Sequence, residues 1–185
     1  MDKRHTILVV DDESDVVKSV QDLLRLEYRV LGTTSARDAV KIMAEEEVHV
    51  VMTDLRMPGM TGVEFLKQIR GQHPDAIRLL FTGYTDMKAV IDSINEGNVY
   101  RYITKPWDPD ELLMTIREAC ERYELIVARK VLAEQLQQKN AELVQSNEEL
   151  RQANMLKQAF IRVASHELRT PLAILLGLVS LAQES

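Results

Sequence analysis

The sequence has a single cysteine and no apolar run long enough to cross a membrane. Because Cys120 stands alone, no disulfide can form within the chain. The longest nearly apolar run, residues 171–182, is shorter than the roughly 20 residues that a membrane-spanning helix needs. The charged residues that follow Met1 are unlike the start of a signal peptide. Together these absences favour a reducing, cytoplasmic setting.

The chain also lacks an excess of positive charge. Its 23 Lys and Arg residues are outnumbered by 29 Asp and Glu residues, which gives a net charge of −6. Proteins that bind the phosphate backbone of a nucleic acid usually carry a surplus of basic side chains, so we expect no nucleic-acid partner. The 45% apolar and 28% charged shares are typical of a folded protein, and 185 residues suggest one domain plus a further segment.

Glycine and proline are both absent between Pro109 and Pro171, whereas they are scattered through the preceding part. In that preceding part, β-branched runs alternate with stretches whose apolar residues recur every three or four positions, which predicts a βαβ order. Strands are predicted at 7–10, 28–32, 48–53, 77–82 and 99–104, with helices from Ser14, Ser35, near Thr61, near Thr85 and after Pro109. The expected fold is α/β, with a five-stranded parallel sheet covered by helices on both faces.

Residues 133–158 carry six Gln and three Asn, too polar for a globular core, yet Leu136, Leu143 and Leu150 recur every seven positions. With these leucines at heptad position d, position a is occupied by Ile126, Ala133, Asn140, Asn147, Asn154, Ile161, Leu168 and Leu175. Asn at a favours two strands at a cost in stability, so we expect a marginally stable parallel homodimer. One alternative register places Lys139, Ser146 and Ala153 at d. Another alternative is a single solvated helix held by polar pairs four residues apart.

Polar residues lie where the predicted strands end. Asp11 and Asp12 follow the first strand, Asp54 the third, Thr82 ends the fourth, and Lys105 follows the fifth. Parallel strands end at one edge of the sheet, so these groups should meet there. Two carboxylates about 4 Å apart repel by roughly 4 kcal/mol at an effective dielectric near 20, so protons or a cation must neutralise them.

Oxygen ligands without Cys or His nearby favour Mg²⁺. A metal, a hydroxyl and an ammonium could together stabilise a phosphoryl group added to Asp54. Each acid alone is more simply a turn or helix cap, and a single Lys-Pro is more simply a loop. Their combination at four strand ends of one sheet favours a functional site.

Four motifs carry a resemblance to a known family: Leu8–Glu13 (LVVDDE), Thr53–Gly62 (TDLRMPGMTG), Phe81–Gly83 (FTG) and Tyr102–Trp107 (YITKPW). Over about residues 5–124 the sequence resembles the response-regulator receiver domain. The resemblance implies a flavodoxin-like (CheY-like), doubly wound fold, with Asp54 as the phosphoacceptor.

The same resemblance implies roles for the neighbouring residues. Mg²⁺ would be held by Asp12, Asp54 and the backbone carbonyl of Arg56, with Asp11 acting mainly through water. Thr82 and Lys105 would bind the phosphoryl oxygens, and Thr82 would move on phosphorylation. Tyr102 would turn inward behind Thr82, although a half-buried strand aromatic is an equally good interpretation of this tyrosine. The Lys105–Pro106 peptide bond would be cis.

A histidine near the end of the sequence lies in a second motif. In the favoured heptad register His166 takes position f, which faces solvent, and such a histidine is usually inert. Glu167 beside it could orient the imidazole and accept its proton. The run Ser165–Leu172 (SHELRTPL) resembles the H-box of the dimerisation and phosphotransfer domain of sensor histidine kinases. The resemblance implies autophosphorylation on His166, Glu167 as base, and Thr170 as an aid in dephosphorylating a partner's phospho-Asp.

We therefore expect a receiver domain over residues 1–124, a coiled-coil signalling linker over 125–155, and a truncated first helix of the phosphoacceptor domain over 156–185. Because Ser185 falls inside that helix and no Gly-rich phosphate loop occurs, we expect the ATP-binding domain to belong to a longer parent kinase. This chain alone should not phosphorylate itself from ATP, which leaves open whether it is itself an enzyme.

The functional hypothesis is two-component signal transduction. An upstream histidine kinase or small phosphodonor would phosphorylate Asp54, and the dimeric coil would pass this state to a kinase phosphorylated at His166, which serves a downstream response regulator. The alternative is a dimeric response-regulator binding module whose coil only mediates oligomerisation. A third possibility, a structural coiled-coil adaptor, predicts no Mg²⁺-dependent labelling of the acidic cluster.

Overall fold

The computed structural model describes residues 5–83 and 99–183, except for the side chains of residues 170 and 174–183. The described elements are β1 (Thr6–Val10), α1 (Ser14–Leu24), β2 (Arg29–Thr33), α2 (Ala36–Glu45), β3 (Val50–Asp54), α3 (Gly62–Gln72), β4 (Ile77–Thr82), β5 (Arg101–Thr104) and a long helix (Pro109–Gln183). The helix predicted to begin near Thr85 lies outside the described residues. The chain divides between Lys130 and Val131 into two units, the second formed by the later part of the long helix.

The five strands form one parallel sheet in the order β2-β1-β3-β4-β5. All residues of β1 and β3 are buried, as expected for parallel strands with helices on both faces. Alternate residues of each strand point to opposite faces of the sheet. Thus Ile7 and Val9 join a core with α1 and the long helix, whereas Leu8 and Val10 join a second core with α2 and α3. The predicted five-stranded parallel α/β fold is confirmed.

Side-chain caps fix the beginnings of three helices. The Ser35 hydroxyl accepts a 3.4 Å hydrogen bond from the Asp38 N–H, as the sequence predicts for the start of α2. Thr61 and Glu64 form a reciprocal capping box at the start of α3. At the long helix, the Asp108 carboxylate accepts from two backbone N–H groups of the first turn, and Pro109 takes the first helical position.

The first turns of the long helix belong to the first unit. Their inward side chains are buried in the core shared with α1: Leu112, Ile116, Ala119 and Cys120. Polar contacts add to this packing at the edge where the strands begin: His5 Nε2 to Glu124 Oε1 at 3.2 Å, Lys130 Nζ to Asp75 Oδ1 at 2.6 Å, and the His49 ring edge-to-face with the Tyr123 ring at 4.6 Å. The helix is thus fixed to the sheet up to the end of the first unit.

The second unit is helical throughout its described length and continues through Pro171. Its leucines are largely exposed, including Leu136, Leu143 and Leu150 at 59–61%. Polar pairs of the kind expected for a solvated helix are also present: Gln138–Glu142, Lys139–Glu142, Gln145–Glu149 and Glu148–Gln152. The isolated chain therefore holds its helix with local pairs and leaves an apolar stripe without cover. No helix in the described part of the chain combines the length and the apolar character that crossing a bilayer requires.

Candidate functional site

Four of the predicted site residues meet at the carboxyl edge of the sheet. Asp54 is the last residue of β3 and Thr82 the last of β4, while Asp11 and Lys105 directly follow β1 and β5. β1, β3, β4 and β5 are neighbours in the sheet, so the fold brings these ends together from distant parts of the sequence. The expectation that polar groups converge at this edge agrees with the structure.

Lys105 bridges the two buried acids. Its ammonium nitrogen lies 2.6 Å from Asp11 Oδ2 and 2.6 Å from Asp54 Oδ1. The Asp11 residue is 0% exposed and Asp54 is 9% exposed, so both carboxylates depend on this cation for neutralisation. The cluster therefore carries its own counter-charge in the form of a lysine.

Burial and charge act in opposite directions on these groups. Burial raises the pKa of the Asp11 carboxyl, assisted by repulsion from Asp54, while the hydrogen bond from Lys105 partly offsets the rise. For Lys105, burial alone would lower the pKa, but hydrogen bonds to both carboxylates outweigh it and raise the pKa. The lysine therefore remains charged at any physiological pH.

Backbone donors hold the remaining carboxylate oxygens. The Arg56 N–H donates to Asp54 Oδ2 at 2.7 Å, and the Glu13 N–H donates to Asp11 Oδ1 at 3.0 Å. Each carboxylate thus contacts the Lys105 ammonium with one oxygen and accepts a backbone hydrogen bond from the loop after its own strand with the other. This arrangement orients both carboxylates rigidly toward the space around Lys105 Nζ.

The third acid of the predicted cluster takes a different position. Asp12 is exposed, whereas Asp11 beside it is buried. Within residues 5–83 and 99–183, no three His, Cys, Asp or Glu side chains lie close enough together to hold a metal ion. Two acids rather than three therefore meet in this arrangement, with the Lys105 ammonium between them. The donors nevertheless suit a hard cation, since they are carboxylate oxygens without sulfur or imidazole.

Thr82 ends β4 at this edge, and Tyr102 lies on the neighbouring strand β5. Thr82 is 1% exposed, and its hydroxyl donates to the Gly83 carbonyl at 3.0 Å. Tyr102 is half-buried and packs against the core that contains α2 and α3. The Lys105–Pro106 peptide bond is cis, as the resemblance implies. Thr82 thus lies at the edge itself, whereas Tyr102 lies two residues before the end of β5 and has a packing contact there.

The second predicted site lies in the second unit. The His166 side chain is 80% exposed, and most of the described side chains around it in this unit are exposed as well. Its Nδ1 lies 3.9 Å from Glu167 Oε1, which is an ion-pair distance and too long for a hydrogen bond. Thr170 is helical, and its side chain lies outside the described part. The structure therefore places His166 and Glu167 side by side on an open helix surface.

Comparison with known families agrees with this geometry. Residues 7–117, more than half of the chain, match the family described as Response regulator receiver domain. The chain belongs to the response regulator receiver family. Residues 156–185 match the family described as His Kinase A (phospho-acceptor) domain. A receiver followed by a histidine-kinase phosphoacceptor segment confirms the predicted combination and shows that the chain is part of two-component signalling.

Individual relatives resemble mainly the receiver. The hydrogenase transcriptional regulatory protein HoxA of Cupriavidus necator is 45% identical over 120 residues, which cover 65% of this chain and 25% of that protein. The DNA-binding transcriptional regulator NtrC of Proteus hauseri is 27% identical over 177 residues, covering 95% and 35%. The chain therefore spans only about a quarter to a third of the length of these curated relatives.

Solved structures show the same receiver fold. The signal receiver domain of an HD domain-containing protein from Pseudomonas fluorescens Pf-5 superposes with a TM-score of 0.65 at 35% identity, covering 70% of this chain and 96% of that one. A structure described as adenylate cyclase from Rhodopirellula baltica gives a TM-score of 0.69 at 27% identity, covering 70% and 97%.

Two features of the receiver site were missed in the sequence. A Cβ added at Gly62 would lie 1.9 Å from the Asp54 carbonyl oxygen, so only glycine lets α3 begin against the end of β3. The Phe81 ring stacks on Trp107 with centroids 4.8 Å apart, and Lys105 Nζ lies over the Phe81 ring at 5.8 Å from its centroid, within cation–π distance. Gly62 could have been suspected from its place directly after a capping threonine, whereas the contacts of Phe81 depend on the tertiary fold.

Proposed function

We propose that this receiver accepts a phosphoryl group on Asp54 and thereby controls, through a dimeric coiled coil, a histidine kinase phosphorylated at His166. The observation that carries the first part is the Lys105 ammonium between two buried carboxylates at the carboxyl edge of the sheet. This arrangement places a nucleophilic oxygen of Asp54 within 2.6 Å of the positive charge of Lys105. Phosphoryl transfer needs mainly such positioning and charge stabilisation.

In the proposed reaction an oxygen of Asp54 attacks the phosphorus of a phosphohistidine on an upstream kinase or of a small acyl phosphate. The bond from phosphorus to the donor breaks, the electron pair stays with the donor, and an aspartyl phosphate forms. Lys105 Nζ already lies 2.6 Å from Asp54 Oδ1, so its ammonium is placed to stabilise the negative charge that the phosphoryl group adds. Thr82 would contribute a second donor by turning its hydroxyl away from the Gly83 carbonyl.

The proposal includes Mg²⁺ as cofactor. Asp54 and Asp12 would hold it with the Arg56 carbonyl, and Asp11 would act mainly through water, in line with the oxygen chemistry of this edge. When bound, the ion would draw negative charge from the phosphoryl oxygens. The exposed position of Asp12 leaves room for the water ligands that magnesium usually retains.

The dimeric part of the proposal rests on the exposed stripe of the second unit. Burying one leucine stabilises by roughly 1.5–3 kcal/mol, and Leu136, Leu143 and Leu150 would each meet their counterpart in a second copy. The asparagines at position a reduce this gain, so the coil would be marginal. A coupling free energy of about 1–3 kcal/mol from receiver phosphorylation would then be large enough to change its packing.

The remaining partners follow from the two matched domains. An upstream histidine kinase or small phosphodonor would charge Asp54, and a downstream response regulator would receive the group from His166. We keep the predicted segments, a receiver to residue 124, a linker to 155 and the phosphoacceptor helix beyond, as part of the proposal. A cytoplasmic setting, which the single cysteine favours, belongs to it as well.

The test is intact-mass spectrometry after incubation with acetyl phosphate and Mg²⁺. We expect a labile adduct of about 80 Da, the mass of one phosphoryl group, on the native chain. Asp54→Asn should abolish the adduct, while Asp15→Asn, which changes an exposed acid in the first turn of α1, should leave it intact. Absence of the adduct at every Mg²⁺ concentration, or its survival in Asp54→Asn, would refute the proposal.

A further inference from the structure

Six of the large apolar side chains of the second unit lie within about 20° of one line along the long helix. They are exposed by 52–70% and are Leu136, Leu143, Leu150, Ile161, Leu168 and Leu172. At about 100° per residue, the distance from the first to the last corresponds to about ten whole turns. The stripe therefore runs parallel to the helix axis, whereas a strict heptad pattern would drift by about 20° per heptad.

The stripe has its widest polar interruption between Leu150 and Ile161, which are eleven residues apart, whereas Leu136, Leu143 and Leu150 are seven apart. In the segment before Leu150, Asn147 and Lys139 also lie about 40° from the line of the stripe, but Asn147 lies between two closely spaced leucines and Lys139 is paired with Glu142 at 2.6 Å.

Between Leu150 and Ile161 the positions that face the same side are Asn154 and Lys157, about 20° and 40° from the line of the stripe. Both are exposed. The residues three and four positions from Lys157 include no acid, and no Asp or Glu occurs between Leu150 and His166. The interruption is thus polar and positively charged, and it lies directly before the phosphoacceptor motif.

A second copy of the same chain is the occupant that suits this stripe. In a parallel pair related by a two-fold axis, each stripe residue meets its own counterpart at the same height. The segment 131–169 has five acidic and five basic side chains, so two copies would not repel each other through net charge. At the interruption, however, two Lys157 ammonium groups would face each other without a carboxylate between them.

We propose that residues 151–160 form a break in the dimer seam. The break separates a linker seam at Leu136–Leu150 from a phosphoacceptor seam at Ile161–Leu172. Pairing on its two sides can then change separately, which gives a signal from the receiver a defined place to act. This inference rests on the proposed pairing of two copies.

The test fills the break in the full 185-residue chain with Asn154→Ile and Lys157→Leu. The matched control, Gln152→Ile and Ala159→Leu, adds the same two side chains on the opposite face of the helix, where both native residues are exposed. Sedimentation equilibrium measures the dimer, and hydrogen exchange with mass spectrometry measures local opening of residues 151–160.

We expect a native dimer in which residues 151–160 exchange about tenfold faster than the flanking segments. Filling the break should slow that exchange and tighten the dimer by at least about tenfold, because four apolar side chains are buried per dimer, while the control should do neither. A chain that stays monomeric at every concentration would overturn both the pairing and the break. A dimer with uniform protection, or one that responds equally to the control, would overturn the break alone.

Discussion

Replacing Lys105 with methionine removes the ammonium between Asp11 and Asp54 and keeps an apolar stem of similar length near Phe81. Loss of one member of a buried ion pair typically costs about 3–5 kcal/mol, because the remaining charge has no partner. Two features reduce the cost here. The Lys105 side chain is 21% exposed, so water can enter, and each carboxylate keeps a backbone N–H donor. We expect the free energy of unfolding to fall by about 3 kcal/mol at pH 7.

The loss should depend on pH. Burial already raises the pKa of Asp11 above 3.8 in the folded protein, and removal of the ammonium should raise it further. A carboxyl whose pKa is higher in the folded than in the unfolded state binds its proton more tightly when folded. Its ionised form therefore destabilises the fold, an effect that is absent below pH 3.8 and grows as the pH rises from there through the folded pKa. The deficit of the variant should therefore be largest at pH 7 and shrink toward pH 4.

Trp107 provides the assay. It is the only tryptophan of the sequence and stacks on Phe81, so its fluorescence during urea unfolding follows the first unit rather than the exposed part of the long helix. Lys41→Met is the matched control, because Lys41 pairs with Asp38 on the surface, where solvent screens the ion pair and its loss should change stability little. The assignment of Lys105 as the essential counter-charge would be refuted by any one of three results. The loss of unfolding free energy could be below about 1 kcal/mol, it could equal the loss in the control, or it could stay constant between pH 4 and pH 7.

Three further results are expected. Gly62→Ala should lower the free energy of unfolding by about 2–3 kcal/mol, because the new Cβ would collide with the Asp54 carbonyl oxygen. Gly71→Ala in the same helix has open space around it and should be neutral or stabilising. Similar urea midpoints for the two variants would contradict the close approach at Gly62. Burial raises the pKa of the Cys120 thiol to about 12, so maleimide labelling at pH 8 should begin only with unfolding, and rapid labelling of the native chain would disprove this. When the ATP-binding domain of a histidine kinase is supplied, His166→Ala should abolish labelling of this segment from radioactive ATP, while unchanged labelling would favour the binding-module alternative.

Local signals in the sequence were sufficient for most of the first unit. Ser35 and Thr61 mark helix starts because their side chains accept backbone hydrogen bonds within the same few residues. The buried strands were recognisable as β-branched apolar runs, and their ends differ from the prediction by only a few residues. The carboxyl-edge cluster followed from strand order, since parallel topology brings Asp54 and Lys105 together.

Long-range geometry set the limit of the sequence-based prediction. Strand order predicted that Lys105 would lie near Asp11 and Asp54. It did not predict that the ammonium would bridge both carboxylates or that Asp12 would face solvent, because these outcomes depend on how the loops after the strands pack. The close contact of Gly62 with the end of β3 is of the same kind. The heptad register stays a prediction, because the pairing of two helices depends on contacts between chains that the spacing of leucines within one chain does not determine.

The position of Asp54 on β3 has a consequence for how a signal can leave the site. β3 is hydrogen-bonded to β1 on one side and β4 on the other, and all of its residues are buried. Its main chain can shift only if two strand ladders break together, so it acts as a fixed reference against which other groups move. Under the proposed function, new charge on Asp54 would therefore be accommodated by side-chain rotation at Lys105 and Thr82 and by the loops beyond the strands, while the β3 backbone stays in place.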